Sequence, residues 1–110
     1  MIDNDRRDKA LQYLIDTDVD AAKARAYMLG LDKQEKVILG LELLEQRGKE
    51  GTVPEKDAVA RNSHEYKAWL EDYQNAVADY ETYRNRRHTA DLVIECWRSE
   101  NANRRQGNVN

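Results

Sequence analysis

The chain has 110 residues, a length typical of one domain, so we do not expect a second independent core. Charged residues make up 35% of it, but the net charge is only -3, which does not favour a disordered chain. The longest apolar run, 26–31, is far shorter than the ~20 residues of a membrane span. The N-terminus is acidic and has no secretory signal, so we expect a cytoplasmic protein. A single cysteine, Cys96, excludes an internal disulfide, and we expect it to be buried as a small hydrophobic residue.

The first half of the chain is predicted to form two helices. The apolar residues of 5–15 are typical of a short amphipathic helix. Thr17 and Asp20 then form a T-x-x-D pattern, in which a hydroxyl caps the first backbone amides of a helix. We therefore predict a long helix over about 18–47, with a break near Gly30 as an open alternative.

A turn is predicted at 48–54, because this segment contains two glycines and the only proline. Thr52 and Glu55 form a candidate capping box that opens a short helix, and Asn62 is the candidate start of the next helix. No segment shows the strict alternation of a strand. The predicted fold is all-α, a single domain built as an elongated helical hairpin.

The last helix is predicted over about 64–105, followed by a frayed tail. Its aromatic and apolar side chains recur at intervals of three and four, which is a heptad seam. Such a helix would be about 63 Å long, whereas a helix over 18–47 would be about 45 Å long and could not cover the seam. We therefore expect a homo-oligomer; an alternative is that part of this stripe stacks exposed bases. The predicted interface residues are Tyr66, Trp69, Tyr73, Tyr80, Tyr83, Ile94 and Trp97.

Charge is divided unevenly along the chain. Residues 1–83 carry a net charge of -6, whereas residues 84–110 carry a net charge of +3. The planar guanidinium of arginine suits phosphate and stacks on bases, which favours nucleic acid as a ligand. The alternative is that these arginines pair with the acidic N-terminal segment of another subunit. The basic side chains of this end are Arg84, Arg86, Arg87, Arg98, Arg104 and Arg105.

The sequence has no recognisable catalytic constellation. His64 and His88 stand alone, and there is no glycine-rich phosphate loop or nucleophile motif. We therefore expect a protein that is not an enzyme and that uses neither a cofactor nor a metal.

The segments 94–108 and 51–56 resemble those of small helical proteins encoded by tailed phages and prophages. More distantly, residues 36–97 are similar to the UvsY family, the recombination mediators of T-even phages. That resemblance implies a non-catalytic, ring-forming helical protein that binds single-stranded DNA and helps to load a recombinase while a single-strand-binding protein is displaced. In that family the DNA-contacting basic pair lies in a K-A-R tripeptide, and this chain also has such a tripeptide at Lys23, Ala24 and Arg25, which makes Lys23 and Arg25 further candidates for DNA contact.

Together these features predict a phage-encoded accessory factor in DNA recombination, acting in the cytoplasm of the host cell. It would be an oligomer that mediates recombinase assembly on single strands. Two alternatives remain open: a helical adaptor or inhibitor that binds a host or phage protein without nucleic acid, and a structural component of the virion.

Overall fold

The computed structural model describes residues 1–109 and the side chains of residues 1–107. This part of the chain forms three helices, α1 (Asn4–Glu45), α2 (Val53–Arg61) and α3 (His64–Val109), and contains no strand. The all-α fold class and the long C-terminal helix are thereby confirmed. Within the described residues, no helix combines the length and the apolar character that crossing a bilayer requires.

Helix α1 is one continuous element, so the prediction of two helices that meet at Thr17 is wrong. Its first turn is capped by Asp3, whose Oδ1 accepts a hydrogen bond from the backbone N–H of Arg6 at 2.8 Å. The Thr17 hydroxyl instead donates to the carbonyl oxygen of Tyr13 at 2.7 Å, one turn back in the same helix. The T-x-x-D pattern therefore lies inside the helix, which also continues through Gly30 without a break.

The turn between α1 and α2 follows the prediction. Gly48 and Gly51 have φ angles of +82° and +132°, which side chains other than glycine rarely adopt. The hydroxyl of Thr52 accepts from the backbone N–H of Glu55, and the Glu55 carboxylate accepts from the backbone N–H of Thr52, both at 3.3 Å. This reciprocal capping box begins α2 as expected.

Helix α3 begins at His64, as predicted, but its capping residue is one position later than expected. The Oγ of Ser63 accepts from the backbone N–H of Tyr66 at 3.1 Å, so the capping residue is Ser63 and not Asn62. At the other end the helix continues to Val109, past the predicted end at Arg105 and through most of the tail that was expected to fray.

The chain divides into two compact units. Unit 1 comprises Met1–Ala22 with Glu81–Asn110, and unit 2 comprises Lys23–Tyr80. Within each unit a segment of α1 packs antiparallel to a segment of α3.

Unit 2 holds the hydrophobic core. The indole N–H of Trp69 donates to the carbonyl oxygen of Leu31 at 2.7 Å in a buried position, and this bond joins α3 to α1. Helix α2 adds Ala60, which is 1% exposed. The buried core residues are Leu31, Leu39, Ala60, Tyr66, Trp69 and Ala76.

In unit 1 the two helices approach through small residues, because the buried side chains there are Ala10 and Ala90. Near the start of α1, the indole N–H of Trp97 donates to Oδ1 of Asn4 at 2.9 Å. The guanidinium of Arg7 lies 4.3 Å from the centre of the same indole ring, within cation–π distance. These contacts attach the first turns of α1 to the C-terminal part of α3.

Candidate nucleic-acid interface

The predicted DNA-binding residues are distributed over both units. The six arginines of the basic end belong to the α3 segment of unit 1, whereas Lys23 and Arg25 belong to unit 2. Both Lys23 and Arg25 are exposed. The environments of the six arginines differ, and those differences decide which of them has hydrogen-bond donors available for a ligand.

Arg87 is engaged inside unit 1. Its Nη1 donates to the carbonyl oxygen of Leu14 and to the hydroxyl of Thr17, each at 2.8 Å. Its Nη2 lies 3.4 Å from a carboxylate oxygen of Asp18, and the side chain is 26% exposed. Because these donors hold α3 against α1, Arg87 acts in the packing of the unit, and the prediction that it binds nucleic acid has no support from its contacts.

The arginines on either side are more accessible. Arg84 and Arg98 each pair with a glutamate three residues earlier in α3, at 3.6 and 3.1 Å, and both side chains are 66% exposed. Such exposed pairs contribute little to stability, and neither arginine lines the groove described next. Arg104 lies 2.8 Å from the sulfur of Met1, and Arg105 is exposed.

Arg86 lies at an open groove between the α1 and α3 segments of unit 1, with a volume of about 500 Å³. On each helix the groove residues include positions i, i+3, i+4 and i+7, which share one helical face. We call this feature the cationic groove. Its lining residues are Arg6, Lys9, Ala10, Tyr13, Asn85, Arg86, Thr89, Ala90 and Val93.

The groove combines positive charge with an apolar floor. Among the described residues, neither Arg6 nor Arg86 has a carboxylate within ion-pair distance. Lys9 pairs with Asp5 at 3.0 Å, and this hydrogen bond and charge raise the pKa of the lysine above its ordinary value. The hydroxyl of Tyr13 is buried and has no hydrogen-bond partner in the part of the chain described. The site therefore suits a ligand that carries both anionic groups and a flat or apolar body.

Sequence reasoning identified Arg86 but missed the α1 side of the groove. Arg6, Lys9 and Tyr13 lie in a segment whose charge is dominated by aspartates, so the charge count concealed them. The available signal was the matched spacing of residues 6, 9, 10 and 13 with residues 86, 89, 90 and 93. Both sets have alanine at the i+4 position, where two helices can approach closely.

The aromatic end of the predicted seam is covered by the chain itself. Tyr66 and Trp69 are 8% and 5% exposed. The rings of Tyr66 and Tyr73 both lie 5.3 Å from that of Trp69, and Tyr73 is stacked on it at an interplanar angle of 9°. Tyr66 and Trp69 are therefore unavailable for base stacking or for an intersubunit contact, and that part of the prediction is wrong.

The remaining seam residues are half-buried, Tyr73 and Tyr80 in unit 2 and Tyr83, Ile94 and Trp97 in unit 1. The length argument for self-association also fails, because α1 has 42 residues, close to the 46 of α3. Homo-oligomer formation thus stays a prediction, but an uncovered length of α3 no longer supports it.

One carboxyl group in unit 2 is buried. Glu42 is 8% exposed, and burial raises its pKa above the ordinary value, with further contributions from the carboxylates of Glu65 and Glu45. Elsewhere, Cys96 is exposed, so the expectation that it is buried is wrong. Among residues 1–109 no group of three or more histidine, cysteine or carboxylate side chains is placed to hold a metal ion.

No protein-family model matches the chain, and comparisons with curated proteins and with solved structures found no significant match.

Proposed function

We propose that this chain is a non-catalytic accessory protein of phage DNA recombination that binds single-stranded DNA in the cationic groove of unit 1. As a homo-oligomer it would assist the loading of a recombinase. The observation that carries the DNA-binding part is that one groove is lined by both Arg6 and Arg86 and also by apolar side chains. Recombinase loading extends the proposal along the resemblance to UvsY-type mediators.

The groove matches the chemistry of a single strand. Phosphates would pair with Arg6 and Arg86, which have no carboxylate partner among the described residues. Unstacked bases would lie against Val93 and the ring of Tyr13. A volume of about 500 Å³ lies in the usual range for ligand sites of roughly 300–1,000 Å³. The overall net charge of -3 agrees with a local site and not with an extended duplex-binding surface.

The test is fluorescence anisotropy of a labelled oligo-dT strand, titrated with the full chain at several salt concentrations. We expect salt-sensitive binding that weakens when Arg6→Ala and Arg86→Ala are combined. Each phosphate contact to a single strand contributes about 0.7 to the slope of log K against log salt. Loss of two contacts should therefore reduce the magnitude of that slope by about 1.4.

Arg98→Ala is the matched control, because it removes an arginine of the same unit that lies outside the groove. Its effect should be small. If Arg98→Ala weakens binding as much as the double variant does, the groove is not the site. If oligo-dT does not bind even at low salt, the DNA-binding proposal fails.

A second candidate is a helical adaptor that binds another protein without nucleic acid. It is favoured by the large apolar side chains that α1 exposes, including Leu29, Val37, Leu41 and Leu44 in unit 2. This function would be supported if the chain binds another protein but does not bind oligo-dT.

A further inference from the structure

The α1 segment of unit 2 has apolar side chains on two faces. One face packs in the core through Leu31 and Leu39. The other face exposes Leu29, Val37, Leu41 and Leu44, which are 41%, 61%, 59% and 61% exposed. Single exposed leucines are ordinary on protein surfaces, whereas several on one helical face mark a site of interaction. We call these four residues the outer stripe.

Two glycines lie on the same helical face as the outer stripe. Positions 30, 33, 37, 40 and 44 recur at intervals of three and four, so Gly30 and Gly40 alternate with stripe positions. Each glycine costs about 1 kcal/mol relative to alanine inside a helix. A Cβ added at either glycine would meet nothing within 4 Å, so no contact inside unit 2 requires them. Glycines in this position allow the backbone of a second helix to approach closely.

The charges of this face are positive. Lys33 lies within the spacing of the stripe and Lys36 lies at its edge, and both are exposed. Neither has a carboxylate within ion-pair distance in the described part of the chain. A second copy that presented the same face would add two further lysines to the contact and no carboxylate of the outer stripe. A partner with carboxylates would complete the contact.

From these observations we propose that the outer stripe of unit 2 docks an acidic amphipathic helix of a partner protein. Its apolar side chains would pack on Val37 and Leu41 beside Gly40, and its carboxylates would pair with Lys33 and Lys36. In this mode two amphipathic helices pack side by side, the apolar anchors supply affinity and the flanking charges set specificity. The inference deepens the adaptor candidate and does not depend on DNA binding.

The test uses the full chain and two labelled helical peptides with leucine in heptad order, one carrying glutamate and the other lysine at the flanking positions. Fluorescence anisotropy should show binding of the glutamate peptide alone. Combining Lys33→Glu with Lys36→Glu should weaken that binding about tenfold, or ~1.4 kcal/mol, and allow the lysine peptide to bind. Lys67→Glu, an exposed lysine of α3, is the matched control and should change neither result.

Three results would overturn the inference. The first is that neither peptide binds, and the second is that both bind equally well. The third is a sedimentation equilibrium mass above 12.8 kDa that Leu41→Glu returns to the monomer value, because the occupant would then be a second copy. The oligo-dT titration reports on the groove of unit 1 separately, so the two proposals fail by different measurements.

Discussion

The buried indole of Trp69 provides the sharpest test of how unit 2 is held together. In Trp69→Phe, the bond from the indole N–H to the carbonyl oxygen of Leu31, 2.7 Å long in a buried position, is lost. A typical hydrogen bond contributes about 1 kcal/mol net. The smaller ring also leaves a void between Tyr66 and Tyr73, and removing part of a buried side chain adds a cost of similar size. We therefore expect the free energy of unfolding to fall by about 2 kcal/mol.

Trp97→Phe is the matched comparison in unit 1. Its indole N–H also donates a hydrogen bond, to Asn4 at 2.9 Å, but the contact is exposed and water can replace it. The guanidinium of Arg7 can lie over a phenyl ring as well, so the expected loss is only about 0.5 kcal/mol. Urea unfolding followed by circular dichroism at 222 nm measures both variants without depending on tryptophan fluorescence. Equal losses, or a larger loss for Trp97→Phe, would refute the inference that the buried contacts of Trp69 stabilise the chain more than the exposed contacts of Trp97.

Three further variants test unit 2, including the turn before α2. The folded state raises the pKa of Glu42 above its ordinary value of 4.5. The protonated side chain therefore stabilises the fold below pH 4.5, and this stabilisation is lost as the pH rises through the folded pKa. Glu42→Gln should therefore raise the Tm at pH 7 and change it little near pH 4, and an equal shift at both pH values would contradict this. Gly40→Ala should stabilise the isolated chain by up to about 1 kcal/mol, since nothing lies within 4 Å of the added methyl group. Gly48→Ala should instead destabilise the chain by about 1 kcal/mol, because a φ of +82° is strained for alanine. Thermal unfolding of the two glycine variants measures the opposite signs, and a stabilising Gly48→Ala would refute the turn geometry.

The sequence predicted which face of α3 is buried better than it predicted where the helices begin and end. The spacing from Tyr66 onward identified the buried face of α3 correctly, because a period of three and four depends only on which side avoids water. It could not identify what covers that face. Because Thr17 was interpreted as a cap, the first long helix was predicted to be shorter than α1 is. A helix of that length could not cover the whole buried face predicted for α3. A hydroxyl that bonds to the carbonyl oxygen of Tyr13 in the preceding turn has the same sequence signature as one that caps a helix.

The arginines show why a charge count along the chain located the candidate site only in part. Arg86 and Arg87 are neighbours in sequence, but consecutive residues of an α-helix point about 100° apart. Arg87 therefore turns towards α1 and uses its donors on Leu14 and Thr17, whereas Arg86 lines the cationic groove. Whether an arginine offers its charge to a ligand depends on whether its side chain points towards the packed face of the helix or away from it. For that reason the α1 residues of the groove, hidden among aspartates in the sequence, are better candidates for phosphate contact than an arginine that is already bonded within unit 1.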